Sequence, residues 1–235
     1  MSKFGNIIDK LLFPKDIKCV ICGDDLNIDK RYNVCDKCIG QLPFIKGKVC
    51  AKCGAPISDM GKVCLNCKDA GHSFQANYSC FTYDHPISTL VRDLKFNNKK
   101  YLANTLGGFI ATKVIEIGKN FDIVMPVPMH EKSLKQRGYN QSELLCGELV
   151  KLGYNVKIDV LVKKENTKPQ VGLEKEERLK NLENVFKVAD RKSVKGKVVL
   201  LVDDVITTGT TLDECAHALI KAGALKVYAV TLCHA

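Results

Sequence analysis

Two adjacent carboxylates, Asp203 and Asp204, close the apolar run at residues 198–202, and the small hydroxyl loop Thr207, Thr208, Gly209, Thr210 and Thr211 follows two residues later. Where such a loop leads straight into a helix, its backbone N–H groups and the helix N-terminus make a cradle for an anion. Gly209 lets the backbone come close to the bound group, and the threonine hydroxyls add donors, which suits a phosphate monoester. Two acids one turn away suit ribose hydroxyls, held directly or through Mg²⁺. Acids beside a phosphate cradle therefore describe a site for a ribose 5-phosphate. No G-x-x-x-x-G-K-[ST] stretch is present, so the loop is not a P-loop. Two plainer readings compete. The acids could merely end a strand and cap a helix. The stretch also looks like the opening of a receiver domain, but only 31 residues follow Asp204, far fewer than that fold needs.

The second chemical set is cysteine. Eight of the twelve form four C-x-x-C pairs: Cys19 and Cys22, Cys35 and Cys38, Cys50 and Cys53, Cys64 and Cys67. This spacing lets two thiolates from one tight turn grip a tetrahedral ion. Glycines after Cys22 and Cys53 let the chain turn beneath the metal. So few large apolar residues accompany the pairs that metal must supply much of the folding free energy, on the order of 10 kcal/mol per site. Two structural Zn²⁺ ions are expected, in preference to a disulfide framework. Sequential pairing, first pair with second and third with fourth, is favoured because each set then begins with C-x-x-C-G; a cross-braced arrangement stays open. Cys80, Cys146, Cys215 and Cys233 lie singly in apolar stretches and read as small buried hydrophobes. The five histidines are scattered, and His130 is the one to watch.

Elements must position these groups. From about Ser79 the pattern alternates: a short strand within residues 79–86, helices over 87–96 and 101–118, a buried strand entering the loop Pro126-Val127-Pro128-Met129-His130, a helix over 139–153 stopped by Gly153, and a strand at 156–162. A polar and then helical stretch follows from Lys163. The chain ends with the strand carrying the two acids, a helix to Gly223, and a last strand. Strands alternating with helices imply an α/β domain with a mostly parallel sheet covered on both faces. Ligands of such sheets lie beyond the carboxyl ends of the strands. The segments after Met129, from Lys163, and around Asp203 could line one crevice there.

Bulk properties narrow the class. At 46% hydrophobic and 26% charged the chain is globular. No apolar run is long enough for a membrane span, and residues 1–16 read as an amphipathic helix using Phe4, Ile7, Ile8, Leu11 and Leu12, with no signal-peptide cleavage site; a cytoplasmic protein is expected. The formal net charge of +10 invites a nucleic-acid partner. Two zinc ions on eight thiolates would lower it by four. Basic clusters are Lys95, Lys99, Lys100; Lys132, Lys135, Arg137; and Arg191, Lys192, Lys195, Lys197. Aromatic platforms are thin, because tryptophan is absent.

The stretch at residues 198–211 resembles the signature of type I phosphoribosyltransferases, with Asp203, Asp204, Thr207, Thr208, Gly209 and Thr211 at its fixed positions and Thr210 at its variable one. Together with "PVPMH", "RGYNQS", "NTKPQ", "ERLKNLENVF", the "LLFP" leader and the C-x-x-C-rich beginning, nearly the whole chain is similar to the ComF family. The resemblance implies a type I phosphoribosyltransferase-like domain over residues 74–235, behind an N-terminal helix and double zinc ribbon over residues 1–73.

It also implies roles. Asp203 and Asp204 would act on the ribose and serve as the catalytic pair. Val205, Thr207, Thr208, Gly209, Thr210 and Thr211 would bind phosphoribosyl pyrophosphate, with Mg²⁺ as its companion ion. Pro128 and His130 would lie near the pyrophosphate, Arg137, Tyr139 and Asn140 near the pyrophosphate or the acceptor, and Gln170 and Arg178 would reach the site from a hood over residues 163–181. Lys95 is a further candidate. The cellular role implied is DNA uptake in natural transformation, at the inner face of the membrane, with a competence helicase and DNA-processing proteins. A different class remains beside it: a non-catalytic module that binds single-stranded DNA, whose affinity would fall steeply with salt.

Overall fold

The computed structural model describes residues 18–26, 31–58, 61–68, 70–164 and 185–235. Two compact units emerge, Met1–Leu42 and Pro43–Ala235. In the first, a short 3₁₀ turn at Arg31–Asn33 precedes α1 (Asp36–Ile39), whose Cys38 points inward. The amphipathic helix expected at the N-terminus lies outside the described residues.

The second unit begins with the ribbon that carries Cys50, Cys53, Cys64 and Cys67, the last on α2 (Leu65–Lys68). Its sheet has four parallel strands in the order β1-β6-β5-β2. They are β1 (Asn77–Thr82), β2 (Ile123–Pro126), β5 (Val198–Ile206) and β6 (Lys226–His234). The two central strands are buried nearly throughout, which is why residues 198–202 and 227–230 read as continuous apolar runs without alternation. Helices α3 (Ile87–Phe96) and α4 (Leu102–Ile117) occupy the first crossover, from β1 to β2. After β2 come α5 (Glu131–Arg137), α6 (Gln141–Leu145) and α7 (Gly147–Lys151). α8 (Arg191–Val194) precedes β5, and α9 (Thr210–Lys221) joins β5 to β6.

Two differences from the sequence reading have physical causes. The helix expected over 139–153 is two helices, because the chain turns at Cys146, which ends α6 and begins α7. The strand expected over 156–162 is divided. Val156 makes one parallel bridge to Val124 of β2, and β3 (Leu161–Lys163) pairs instead with β4 (Phe186–Val188) in an antiparallel ribbon. Alternation shows which face a strand buries; its partner is settled by tertiary pairing.

One close approach sets the site's frame. A Cβ on Gly107 of α4 would lie 2.8 Å from the Leu145 carbonyl oxygen, so only glycine lets α4 seat against the end of α6. On one side of the sheet a single core joins Ile123, Met125, Val199, Leu201, Val227 and Ala229 to Leu212, Cys215, Ala216 and Leu219 of α9. Phe74 and the ribbon cysteines Cys50, Cys53 and Cys67 share that core.

Candidate functional site

Both zinc clusters are assembled by local turns. In each, one atom from every cysteine lies within 4.8 Å of the others, and the sets are Cys19, Cys22, Cys35, Cys38 and Cys50, Cys53, Cys64, Cys67. The pairing is sequential, which removes the cross-braced alternative. A tetrahedral zinc ion with Zn–S bonds of about 2.3 Å separates its sulfurs by about 3.8 Å; Cys22 and Cys35 are 3.7 Å apart, as are Cys53 and Cys64. Gly23 and Gly54 take left-handed φ values of 81° and 77°, as the knuckle turns require. Backbone N–H groups point at the first sulfur of each set: Cys35 at Cys19, and Lys52 and Cys64 at Cys50. Burial raises the Cys50 thiol, but the amides of Cys64, Cys53 and Lys52 outweigh it and bring it down to about 6. Spacing and geometry fit structural Zn²⁺, and the chain carries two such sites.

The second site lies at the carboxyl end of β5. Asp203 and Asp204 are both buried, still within the strand, beside the C-terminal ends of β6 and β2. Ser142, in the first turn of α6, donates its hydroxyl to Asp203 Oδ1 at 2.8 Å, and the Asp204 amide donates to the same oxygen at 2.9 Å. Lys95, near the end of α3, reaches Asp204 Oδ1 at 2.9 Å. The other oxygen, Asp204 Oδ2, is buried with no hydrogen-bond partner among the described residues. Burial pushes the Asp203 carboxyl up to about 7, the neighbouring Asp204 adds to the rise, and the Ser142 hydroxyl opposes it.

Beyond the acids, Gly209 adopts φ 79° as the N-cap of α9 and offers no side-chain cap, while the Thr208 hydroxyl accepts the Thr210 amide at 3.5 Å. The Thr211 and Leu212 amides of this 12-residue helix are left for another acceptor among the described residues. Thr207, Thr208, Thr210 and Thr211 are exposed, with the Thr208 and Thr210 hydroxyls 2.9 Å apart.

A cleft of about 280 Å³ brings together Asp203, Asp204, Thr211, Pro128, His130, Arg137 and Lys95. Ser133, Gln141 and Lys163 also line it, and nothing in the sequence had singled out Ser133 or Gln141. Arg137 donates to Gln141 Oε1, and its guanidinium lies 5.2 Å from the Phe96 ring centre. His130 caps α5: its Nδ1 accepts the Lys132 amide at 3.1 Å, which leaves the proton of the neutral ring on Nε2. Tyr139 and Asn140 serve as struts. The Tyr139 hydroxyl donates to the Leu94 carbonyl beside Lys95, while Asn140 caps α6 and donates to the Val127 carbonyl at 3.0 Å. A neighbouring cleft of about 600 Å³ shares Lys95, Phe96 and Arg137, and adds Lys100 and Tyr139. Gln170 and Arg178 lie outside the described residues.

Residues 8–68 match the double zinc ribbon domain, and residues 135–235 match the phosphoribosyl transferase domain. The chain is 30% identical over 221 residues to competence protein F of Haemophilus influenzae, which spans 90% of this chain and 94% of that protein. It is 28% identical over 221 residues to the DNA utilization protein YhgH of Escherichia coli K12, spanning 92% and 96% of the two chains. Competence protein ComFC of Bacillus subtilis is 26% identical over 250 residues, 98% of each chain. The fold is thus a phosphoribosyltransferase-like parallel α/β sheet with an N-terminal double zinc ribbon. Among the described residues, no helix is long and apolar enough to cross a membrane.

Proposed function

The chain belongs to the ComF family, and from that premise we propose that the cleft at Asp203 and Asp204 binds phosphoribosyl pyrophosphate with Mg²⁺, in a cytoplasmic protein that serves DNA uptake. One observation carries the binding reading: Asp204 Oδ2 is a buried acceptor left open among the described residues, in the cleft that Thr211 at the start of α9 also lines. An unmet buried carboxylate oxygen costs on the order of 1–3 kcal/mol or more. A ribose hydroxyl donating to it removes that cost only when ligand is bound.

The residues then divide the ligand between them. The N–H groups at the start of α9 and the hydroxyls of Thr207, Thr208, Thr210 and Thr211 hold the 5-phosphate. Asp203 and Asp204 hold the ribose hydroxyls and favour positive charge on the ring. Lys95, Arg137 and Lys163 face the cleft where pyrophosphate would lie. The reaction class is displacement at ribose C1: a nucleophile bonds to C1 as the C1–oxygen bond breaks, and the electron pair leaves with pyrophosphate. Those cations meet the charge that grows on the leaving group. Bound Mg²⁺ would neutralise part of the same charge. Gln170 and Arg178 would complete the site from residues 163–181. The role in DNA uptake rests on the names of the relatives, and a competence helicase and DNA-processing proteins as partners rest on the family resemblance alone.

Calorimetric titration of phosphoribosyl pyrophosphate and Mg²⁺ into the zinc-loaded protein tests the reading. Wild type should bind, and Asp204→Asn should bind about ten- to a hundredfold more weakly, the loss of one charged hydrogen bond. Absence of binding to folded wild type overturns it. Cells carrying Asp204→Asn at the native locus should lose DNA uptake; undiminished uptake would separate the site from that role.

A second reading is favoured by the larger neighbouring cleft, where Lys95, Lys100 and Arg137 meet the exposed ring of Phe96 and Tyr139. Cations around aromatic faces suit single-stranded DNA. Binding of an oligonucleotide that weakens steeply with salt, and with Phe96→Ala, supports it; salt-independent binding overturns it.

A further inference from the structure

Among the five histidines, His72 is the one built into a polar chain. Its Nε2 lies 3.3 Å from the sulfur of Cys67, a ligand of the second zinc cluster. Its Nδ1 lies 3.1 Å from Asp213 Oδ2, in the first turn of α9, and the Ser73 amide donates to the other Asp213 oxygen at 2.5 Å. The His72 side chain is 5% exposed, against 30% for Asp213. Its ring stacks on Phe74, 4.6 Å between centres. That pair floors the hydroxyl loop: a Cβ on Gly209 would sit 3.6 Å from His72 Cε1 and 3.7 Å from Phe74 Cζ.

We propose that the second zinc ribbon is a brace for the anion loop, and that His72 is the positioning residue joining the two. Three physical consequences follow. The first turn of α9 is tied from below through Asp213, so its free N–H groups are held in one direction before any anion arrives. The Asp213 carboxylate, which at the front of a helix would repel an anion, is turned towards His72 and Ser73 instead. Gly209, the residue that must hold a left-handed φ, rests on a rigid ring pair anchored to a metal cluster. Partners of this kind, one step out from a metal ligand, typically cost about ten- to a hundredfold in metal affinity or activity when removed. The inference deepens the phosphoribosyl pyrophosphate reading and rests on it only where the ligand is concerned.

The test uses the full zinc-loaded chain and three readouts: zinc content, amide hydrogen exchange at residues 207–213, and calorimetric affinity for phosphoribosyl pyrophosphate. His72→Ala should keep two zinc ions per chain, raise exchange in the loop about tenfold or more, and weaken ligand binding about tenfold. His72→Asn, whose side-chain amide can stand in for Nδ1, should restore part of both. Asp213→Ala breaks the chain at its other end and should show the same loosened loop, which covers the case in which His72→Ala fails to fold. Exchange and affinity at wild-type levels in His72→Ala or Asp213→Ala, with zinc retained, overturn the proposal. If wild type binds no phosphoribosyl pyrophosphate, the functional reading falls, while the exchange contrast still decides the brace.

Discussion

Replacing Asp203 by asparagine should make the protein more stable above neutral pH and worse at its task. Asp203 is a buried acid whose pKa rises from 3.8 to about 7, chiefly through burial and then through the charge of Asp204. A carboxyl whose folded-state pKa exceeds its unfolded value contributes stability that is full below the unfolded pKa and is lost as pH rises through the folded one. The loss therefore runs from about pH 4 to just above pH 7. Zinc thiolates protonate at the acid end, so the useful window is about pH 6 to 8.5. Across it the native carboxyl passes from mostly protonated to mostly ionised, a loss of stability on the order of 1 kcal/mol from this one group. Asparagine keeps an oxygen for the Ser142 hydroxyl, which lies 2.8 Å from Asp203 Oδ1, and cannot ionise. Urea unfolding of wild type and Asp203→Asn in zinc-containing buffer should show the variant gaining stability relative to wild type as pH rises between the two values, by on the order of 1 kcal/mol. Ligand affinity should fall at both. A stability difference that does not change with pH would refute the assignment of the raised pKa to Asp203.

Three further outcomes are expected. Lys95→Met removes the only cation paired with Asp204 among the described residues, and should destabilise the fold by about 2–4 kcal/mol in urea unfolding, since it strands a buried charge. Gly107→Ala places a methyl 2.8 Å from the Leu145 carbonyl; about 1–3 kcal/mol of lost stability is expected, together with weaker ligand binding as α6 and Ser142 shift. Cys64→Ser should lower zinc content from two ions to one, measured by metal analysis, and should lower the melting temperature of the sheet domain, because Cys50, Cys53 and Cys67 share its core.

Much of this protein is written locally and could be read from residue order. The C-x-x-C-G turns bring their own ligands together within a few residues, so both zinc sites were legible. The apolar run at residues 198–202 and the largely apolar segment at 226–233 read as strands, and the acid pair with its glycine-centred hydroxyl loop read as a site at the carboxyl end of the first, where the structure has them. Periodicity placed α3 over residues 87–96, the span it occupies. Other features depend on what meets in space. Ser142 and Asp203 are 61 positions apart in the chain and meet where α6 packs against β5. Lys95 was a candidate by resemblance, but its partner, Asp204, appears only where α3 carries it to the end of β5. Tyr139 and Asn140, beside Arg137 in the same motif, turned out to hold loops together while Arg137 faces the cleft. His72 and Asp213 are separated by 141 positions, and no spacing rule could join them. Turns, caps and strand burial follow from neighbours in sequence because their energies are short-ranged along the chain. Which carboxylate is left open, which histidine touches a zinc ligand, and which strand β3 takes as its partner follow from long-range packing, and those contacts exist only once the sheet is built.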